Sequence, residues 1–133
     1  MGIETRLQAP SPMAGVSDLV FDVGRVLVDF GYRDLFTFLG NHGAEIKGIK
    51  DFVKKTDLLL YEYGRLSDEK FINNIRDLLH QPVDRNLLIE KWVHIFKPIH
   101  EMQALALTLK KRFGVYLLSN TSALHWDYLL KEC

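Results

Sequence analysis

Two short apolar segments of the 133-residue chain each end in polar residues of the kinds that handle phosphate groups. The first is Asp18–Val23, which ends in the carboxylate of Asp22, and the second is Gly114–Leu118, which Ser119 follows directly. Each segment has the length and composition of a buried strand. Ligands of open α/β sheets bind beyond the carboxyl ends of the strands. The ends of both segments are therefore candidate positions for a site.

The chemistry available to Asp22 is nucleophilic attack. A carboxylate at a strand end can attack phosphorus and form an aspartyl-phosphate, which divides a hydrolysis into two easier steps. Because a carboxylate and a phosphate repel each other, the reaction needs a divalent cation, and Mg²⁺ suits oxygen ligands of this kind. The main-chain carbonyl of Gly24 is free of a side chain and could approach the same ion. The alternative is that Asp22 only caps a turn.

Ser119 and Asn120 would bind a phosphate through hydrogen bonds. If Ser119 ends a strand and opens a helix, its hydroxyl and the following amides face a bound anion. The alternative for the Ser119–Thr121 cluster is an ordinary helix cap.

Everything between the two apolar segments is interpreted as helical from its periodicity. Asp22 and Ser119 are 97 positions apart, far more than a simple βαβ crossover requires. We therefore expect a helical subdomain, from roughly Arg33 to Phe96, inserted after the first strand of an α/β sheet. Ser67 is predicted as an N-cap, and Pro98 is predicted to lie in the first turn of the last inserted helix. An all-helical bundle with two misread apolar segments remains the alternative.

Bulk composition excludes several classes of protein. Lys+Arg and Asp+Glu number 17 each, so no basic excess points to nucleic acid or to an acidic membrane surface. The single cysteine, Cys133, rules out a disulfide framework within the chain and suits a cytoplasmic location. No apolar run reaches transmembrane length. Residues 1–17 are predicted to form a flexible leader.

Taken together, the two apolar segments and the polar residues that follow them resemble motifs of the haloacid dehalogenase (HAD) superfamily. Asp18–Asp29 resembles the first motif of that superfamily, and Val115–Thr121 resembles the second. The helical insert between them is typical of subfamily IA. The likeness extends to the branch that contains bacterial α-D-glucose-1-phosphate phosphatases. Glu62–Phe71 resembles a segment of the cap in that branch. The expected fold is an α/β, HAD-like Rossmannoid core with an inserted α-helical cap subdomain, and only the first two motif strands of the core are recognised.

The resemblance implies a role for each motif residue. Asp22 would be the nucleophile and a magnesium ligand, and the Gly24 carbonyl would be a second ligand. The Ser119 hydroxyl and the Asn120 amide would hold the transferring phosphoryl group. The implied function is a magnesium-dependent phosphomonoesterase that acts on a small phosphorylated metabolite, such as a sugar phosphate, through an aspartyl-phosphate. The core would comprise residues 18–31 and 97–133, and the cap residues 32–96.

The sequence departs from the family pattern in two respects. Many members carry a second aspartate, a general acid and base, at the position of Gly24. The lysine and the acidic pair that complete a HAD site have no counterpart after Ser119 either, since Lys131 is predicted to be a surface residue of a helix. We therefore expect the 133-residue chain to be incomplete, nearly inactive alone, and able to self-associate through uncovered sheet edges. A non-catalytic HAD-derived binding or dimerisation module and an unrelated helical interaction protein are the alternatives.

Three residues beside a predicted helix break at Gly64 are candidates for cap contacts with substrate. These are Glu62, Tyr63 and Arg65, and the alternative is that they simply form a turn. The five histidines show no metal-ligand spacing and are predicted to be surface or cap residues, although His125 follows the phosphate motif closely enough to line the site.

Overall fold

The structure is a computed structural model that describes residues 12–133. Most of the predicted leader, residues 1–11, lies outside this range, and residues 12–15 form a turn. Within the described range, no helix has both the length and the apolar character needed to cross a membrane.

Four strands and seven helices make up the described chain. The strands are β1 (Asp18–Asp22), β2 (Val28–Phe30), β3 (Phe96–Pro98) and β4 (Gly114–Leu118). The helices are α1 (Arg33–Asn41), α2 (Ile49–Thr56), α3 (Leu58–Glu62), α4 (Asp68–Arg76), α5 (Arg85–Val93), α6 (His100–Leu109) and α7 (Ala123–Glu132).

The two apolar segments form neighbouring parallel strands, as predicted. β1 pairs with β4 from Asp18 opposite Gly114 to Asp22 opposite Leu118. This sheet excludes the all-helical alternative. The expectation that both strands are buried was wrong, because Val20 and Leu118 are 64% and 71% exposed. Side chains of a strand alternate between two faces, and here only one face of β1 is partly covered.

The helical insert is confirmed from Arg33 to Val93, but the expectation that everything between the two apolar segments is helical was wrong. β2 and β3 form a small antiparallel pair, in which Val28 lies opposite Pro98. Pro98 therefore belongs to a strand, and the next helix begins at His100 instead. Three-residue strands carry no periodicity that a sequence could reveal. This pair brings the start and the end of the helical insert together beside β1.

The helices of the insert pack around one apolar core. The predicted shared face of Leu35 and Leu39 is buried, and so are Phe52, Phe71 and Trp92. Ser67 caps α4, since its side chain accepts a hydrogen bond from the Lys70 amide at 3.1 Å. Further buried members of this core are Leu58, Tyr61, Ile72, Ile75, Val83, Leu88, Val93 and Ile95.

A smaller apolar cluster lies beside the parallel sheet. Val23, Val28 and Leu129 of α7 form it. Leu124 and Tyr128 of α7 also pack against the larger core, so α7 contacts both clusters. The division into a core of residues 18–31 and 97–133 and a cap of residues 32–96 remains a proposal.

Candidate functional site

A small pocket of about 60 Å³ lies at the carboxyl edge of the parallel sheet. The turn after β1, the loop after β4, the helical insert and α7 each contribute residues to its lining. The residues that line it are Val23, Gly24, Val28, Phe30, Tyr32, Glu62, Ile95, Phe96, Ser119, Asn120, Thr121, His125 and Leu129. Four of the seven residues predicted for the site, Gly24, Glu62, Ser119 and Asn120, therefore share one pocket.

Asp22 is the last residue of β1, and the next residue in the chain, Val23, lines the pocket. Its register partner is Leu118, so Ser119 follows that partner at the same edge. The Asp22 side chain is exposed. One carboxylate oxygen accepts a hydrogen bond from the Val23 amide at 2.7 Å, which holds the carboxylate close to the turn. Asp22 itself is not among the pocket-lining residues, whereas Val23 and Gly24, which follow it in the chain, are.

The turn after β1 is tight and depends on glycine at position 24. The chain reverses through a left-handed residue, Arg25, with φ 64°, and the Arg25 amide donates to the Val28 carbonyl at 2.7 Å. A Cβ atom on Gly24 would lie 3.1 Å from the Phe30 ring, so a larger residue would press on that ring. This contact explains why an aspartate at position 24 would not fit without a shift. No hydrogen bond to the Gly24 carbonyl is present within residues 12–133.

The loop after β4 differs from the prediction in one respect. Ser119 does not open the following helix, because α7 begins at Ala123 and its N-cap is the buried Ser122. The Ser122 side chain accepts a hydrogen bond from the His125 amide at 3.4 Å. Capping by Ser122 leaves the Ser119 hydroxyl without a structural partner in the described chain, and Ser119 and Thr121 both line the pocket.

His125 is buried and lines the pocket, so it is not the surface or cap residue predicted for the histidines in general but follows the alternative kept open for it. Only 4% of it is exposed, and its ring stacks on Trp92 with centroids 4.2 Å apart. Burial lowers the pKa of His125 to about 4, so the ring is neutral at pH 7. His125 lines the pocket as a neutral, structural group.

The three cap candidates differ in whether they line the pocket. Glu62 lines the pocket and is half-buried, and burial raises the pKa of its carboxyl group. Tyr63 is 73% exposed and Arg65 is exposed, and neither lines the pocket. The Gly64 break between them is confirmed by a φ of 70°.

Among the pocket residues that the sequence reasoning did not single out, one carries a polar group. Tyr32 lines the pocket, and its pKa is raised to about 12 by burial and by the nearby negative charge of Glu62. Its hydroxyl therefore stays protonated. The pattern before α1 gave no signal for it, because a single aromatic residue ahead of a helix usually packs in a core.

The charged side chains at the pocket are carboxylates. Glu62 supplies the one charged side chain of the lining when His125 is neutral, and Asp22 adds a second carboxylate at the same edge. A phosphate group placed there would meet two negative charges, so a cation would be required. The Asp22 carboxylate and the Gly24 carbonyl are hard oxygen donors, which fit Mg²⁺ in kind. Residues 12–133 hold no group of three or more His, Cys, Asp or Glu side chains able to bind a metal.

A larger cavity of about 350 Å³ adjoins this pocket between α6, α7 and β4, and the two share Val23, Val28 and Leu129. Its walls are mostly apolar, with Gln103 and Lys110 among the few polar side chains of the lining. Gln103 is occupied by a hydrogen bond to the Leu27 carbonyl at 3.0 Å. The smaller polar pocket is therefore the better candidate for chemistry.

No protein-family model matches the chain, and no curated protein matches it. Several solved structures do resemble its fold. A HAD family enzyme from Bacteroides thetaiotaomicron superposes with a TM-score of 0.77 at 24% identity, covering 90% of this chain and 60% of the enzyme. The wild-type form of that enzyme, in complex with magnesium and inorganic phosphate, gives a TM-score of 0.75 at 25% identity over the same shares.

A second relative supports the same fold. A HAD-like family hydrolase from Porphyromonas gingivalis gives a TM-score of 0.62 at 21% identity, covering 87% of this chain and 55% of that protein. The chain thus spans about 60% of the length of the Bacteroides thetaiotaomicron enzyme. It has the fold of HAD family enzymes over that part.

Proposed function

We propose that this chain carries the nucleophile and the phosphate-binding loop of a magnesium-dependent HAD phosphomonoesterase. The observation that supports the proposal most directly is the register of the parallel sheet. Asp22 ends β1, and Ser119 follows its pairing partner in β4. Two segments 97 positions apart in sequence therefore present a carboxylate and a hydroxyl at one sheet edge.

In this proposal Asp22 attacks the phosphorus of a small phosphorylated metabolite, the bond between phosphorus and the ester oxygen breaks, and the leaving alkoxide takes a proton from water. Water then hydrolyses the aspartyl-phosphate and regenerates the carboxylate. The exposed position of Asp22 gives a substrate access to it. The hydrogen bond from the Val23 amide at 2.7 Å occupies one oxygen and fixes the direction of the other.

Ser119 and Asn120 would hold the phosphoryl oxygens. The Ser119 hydroxyl is available for this role because Ser122 caps α7 in its place. Preorganised donors of this kind stabilise the charge that develops on a transferring group.

Mg²⁺ would be held by the Asp22 carboxylate and the Gly24 carbonyl, and it would neutralise charge between carboxylate and phosphate. Two protein donors are few for this ion, but Mg²⁺ commonly keeps several waters and binds substrate phosphate oxygens. The relative that was solved with magnesium and inorganic phosphate supports this choice of cation.

A non-catalytic binding or dimerisation module is the second candidate. Residues 12–133 contain no group of three His, Cys, Asp or Glu side chains that could hold a metal ion, which favours this candidate. The two candidates are separated by assaying the complete gene product with a generic aryl phosphate. A phosphatase hydrolyses it with Mg²⁺ and stops when the metal is chelated; a binding module shows no turnover in either condition.

A further inference from the structure

Glu62 occupies a position that the proposed chemistry does not explain. It is half-buried, and among residues 12–133 its carboxylate makes no hydrogen bond or ion pair. It is also the last residue of α3, where negative charge opposes the carbonyl end of a helix. Both features are unfavourable for stability. A residue that costs stability in a pocket is a candidate for function.

The position of Glu62 is set by its neighbour Tyr61. Tyr61 is buried, and its hydroxyl donates to the Asp68 carboxylate at 2.6 Å. Its ring stacks on Phe71 with centroids 4.2 Å apart. Ser122 and Leu124 also lie beside the Tyr61 hydroxyl, where they lower its pKa against the larger effect of burial. α3 is therefore held against the N-terminus of α7.

This arrangement places Glu62 beside the loop that would hold phosphate. The Ser119–Thr121 loop directly precedes Ser122, the residue beside Tyr61, and Glu62 lines the same pocket as that loop. A phosphoryl group between Asp22 and Ser119 would direct its alcohol part toward the helical insert. Glu62 is the charged side chain that this part of the insert presents to the pocket.

Building on the proposed function, we propose that Glu62 is a specificity-determining residue that selects substrates by charge. Its carboxylate repels phosphate esters that carry a second anionic group close to the ester. It accepts hydrogen bonds from hydroxyl groups of a neutral alcohol part, and such bonds to a charged acceptor are the stronger ones. The preferred substrates are phosphate monoesters of neutral, hydroxyl-bearing alcohols.

A matched pair of substrates tests this selection. Glycerol phosphate and phosphoglycerate differ in one group, a neutral CH₂OH against a carboxylate. The ratio of their kcat/KM values should favour glycerol phosphate in the wild-type complete gene product. In Glu62→Gln that ratio should fall about tenfold, because the variant removes the negative charge that repels the carboxylate of phosphoglycerate. Glu62→Asp should retain most of the ratio, because it keeps the charge.

Controls separate selection from folding and from the proposed function. Glu45→Gln removes an exposed carboxylate of the insert and should leave the ratio unchanged. Thermal unfolding of Glu62→Gln should occur at the wild-type temperature or above it. If the wild type hydrolyses an aryl phosphate but the ratio is the same in Glu62→Gln, Glu62 does not select by charge and the proposed function stands. Absence of any aryl phosphate hydrolysis would overturn the proposed function itself.

Discussion

The Nε2 atom of His125 lies 3.0 Å from the main-chain carbonyl oxygen of Trp92. Trp92 belongs to the last turn of α5, where helix carbonyls lack partners within the helix. His125 provides that partner, and its ring packs edge-on against Phe96 with centroids 4.8 Å apart. One buried histidine therefore joins the helical insert to the helix that follows the proposed phosphate loop.

The first prediction follows from the pKa of His125, which burial lowers from 6.5 to about 4. Between these values the unfolded chain binds the proton and the folded chain does not. The stabilisation is therefore complete above pH 6.5 and is lost as the pH falls toward 4. The expected loss is on the order of 3 kcal/mol. Chemical denaturation of the wild type and of His125→Gln across this range measures it. A variant that shows the same pH slope as the wild type would contradict this assignment.

The second prediction concerns the nucleophile. Asp22→Asn should lower aryl phosphate turnover of the complete gene product by at least about a thousandfold, because an amide cannot act as the anionic nucleophile. Folding should be nearly unchanged, since the asparagine oxygen can still accept from the Val23 amide. Asp18→Asn is the matched control, an exposed carboxylate on the same face of the same strand. Near-normal turnover by Asp22→Asn, measured in single-turnover and steady-state assays, would refute the assignment.

The third prediction separates two serines of one loop. Ser119→Ala should reduce kcat/KM by about ten- to a hundredfold while leaving stability unchanged, because it removes one donor to the phosphoryl group. Ser122→Ala should lower the free energy of unfolding by about 1 kcal/mol, because it removes the N-cap of α7. Denaturation curves and kinetics on both variants test the pair. The opposite pattern would mean that Ser119 is the structural residue.

The fourth prediction concerns the outer edges of the two-stranded sheet. In the described chain β1 and β4 pair only with each other, and Val20 and Tyr116 are 64% and 58% exposed. Unpaired edges with apolar neighbours favour strand addition from another chain. We expect the 133-residue chain to self-associate at micromolar concentrations, and the Val20→Lys, Tyr116→Lys double variant to do so less. Sedimentation velocity measures both, and a wild-type chain that stays monomeric would show the edges to be protected.

Much of this architecture could be predicted from local sequence alone. Asp22 and Ser119 stand at the ends of apolar β-prone segments, and Leu35 with Leu39 shows helical spacing. These signals are local, because the periodicity of a strand or a helix face can be recognised within about ten consecutive residues. They were sufficient to predict the parallel strands, the helical insert and the ends of the strands as the position of a site.

Contacts between distant segments decided the rest. Three-residue strands such as β2 and β3 exist only because they pair with each other, so Pro98 could not be assigned correctly from its neighbours. Ser119 and Ser122 are equally good caps in sequence, and the packing of α7 selects Ser122. Glu62, Tyr63 and Arg65 are adjacent in the chain, but the anchoring of Tyr61 directs only Glu62 into the pocket. Side-chain direction depends on tertiary packing, which local composition does not encode.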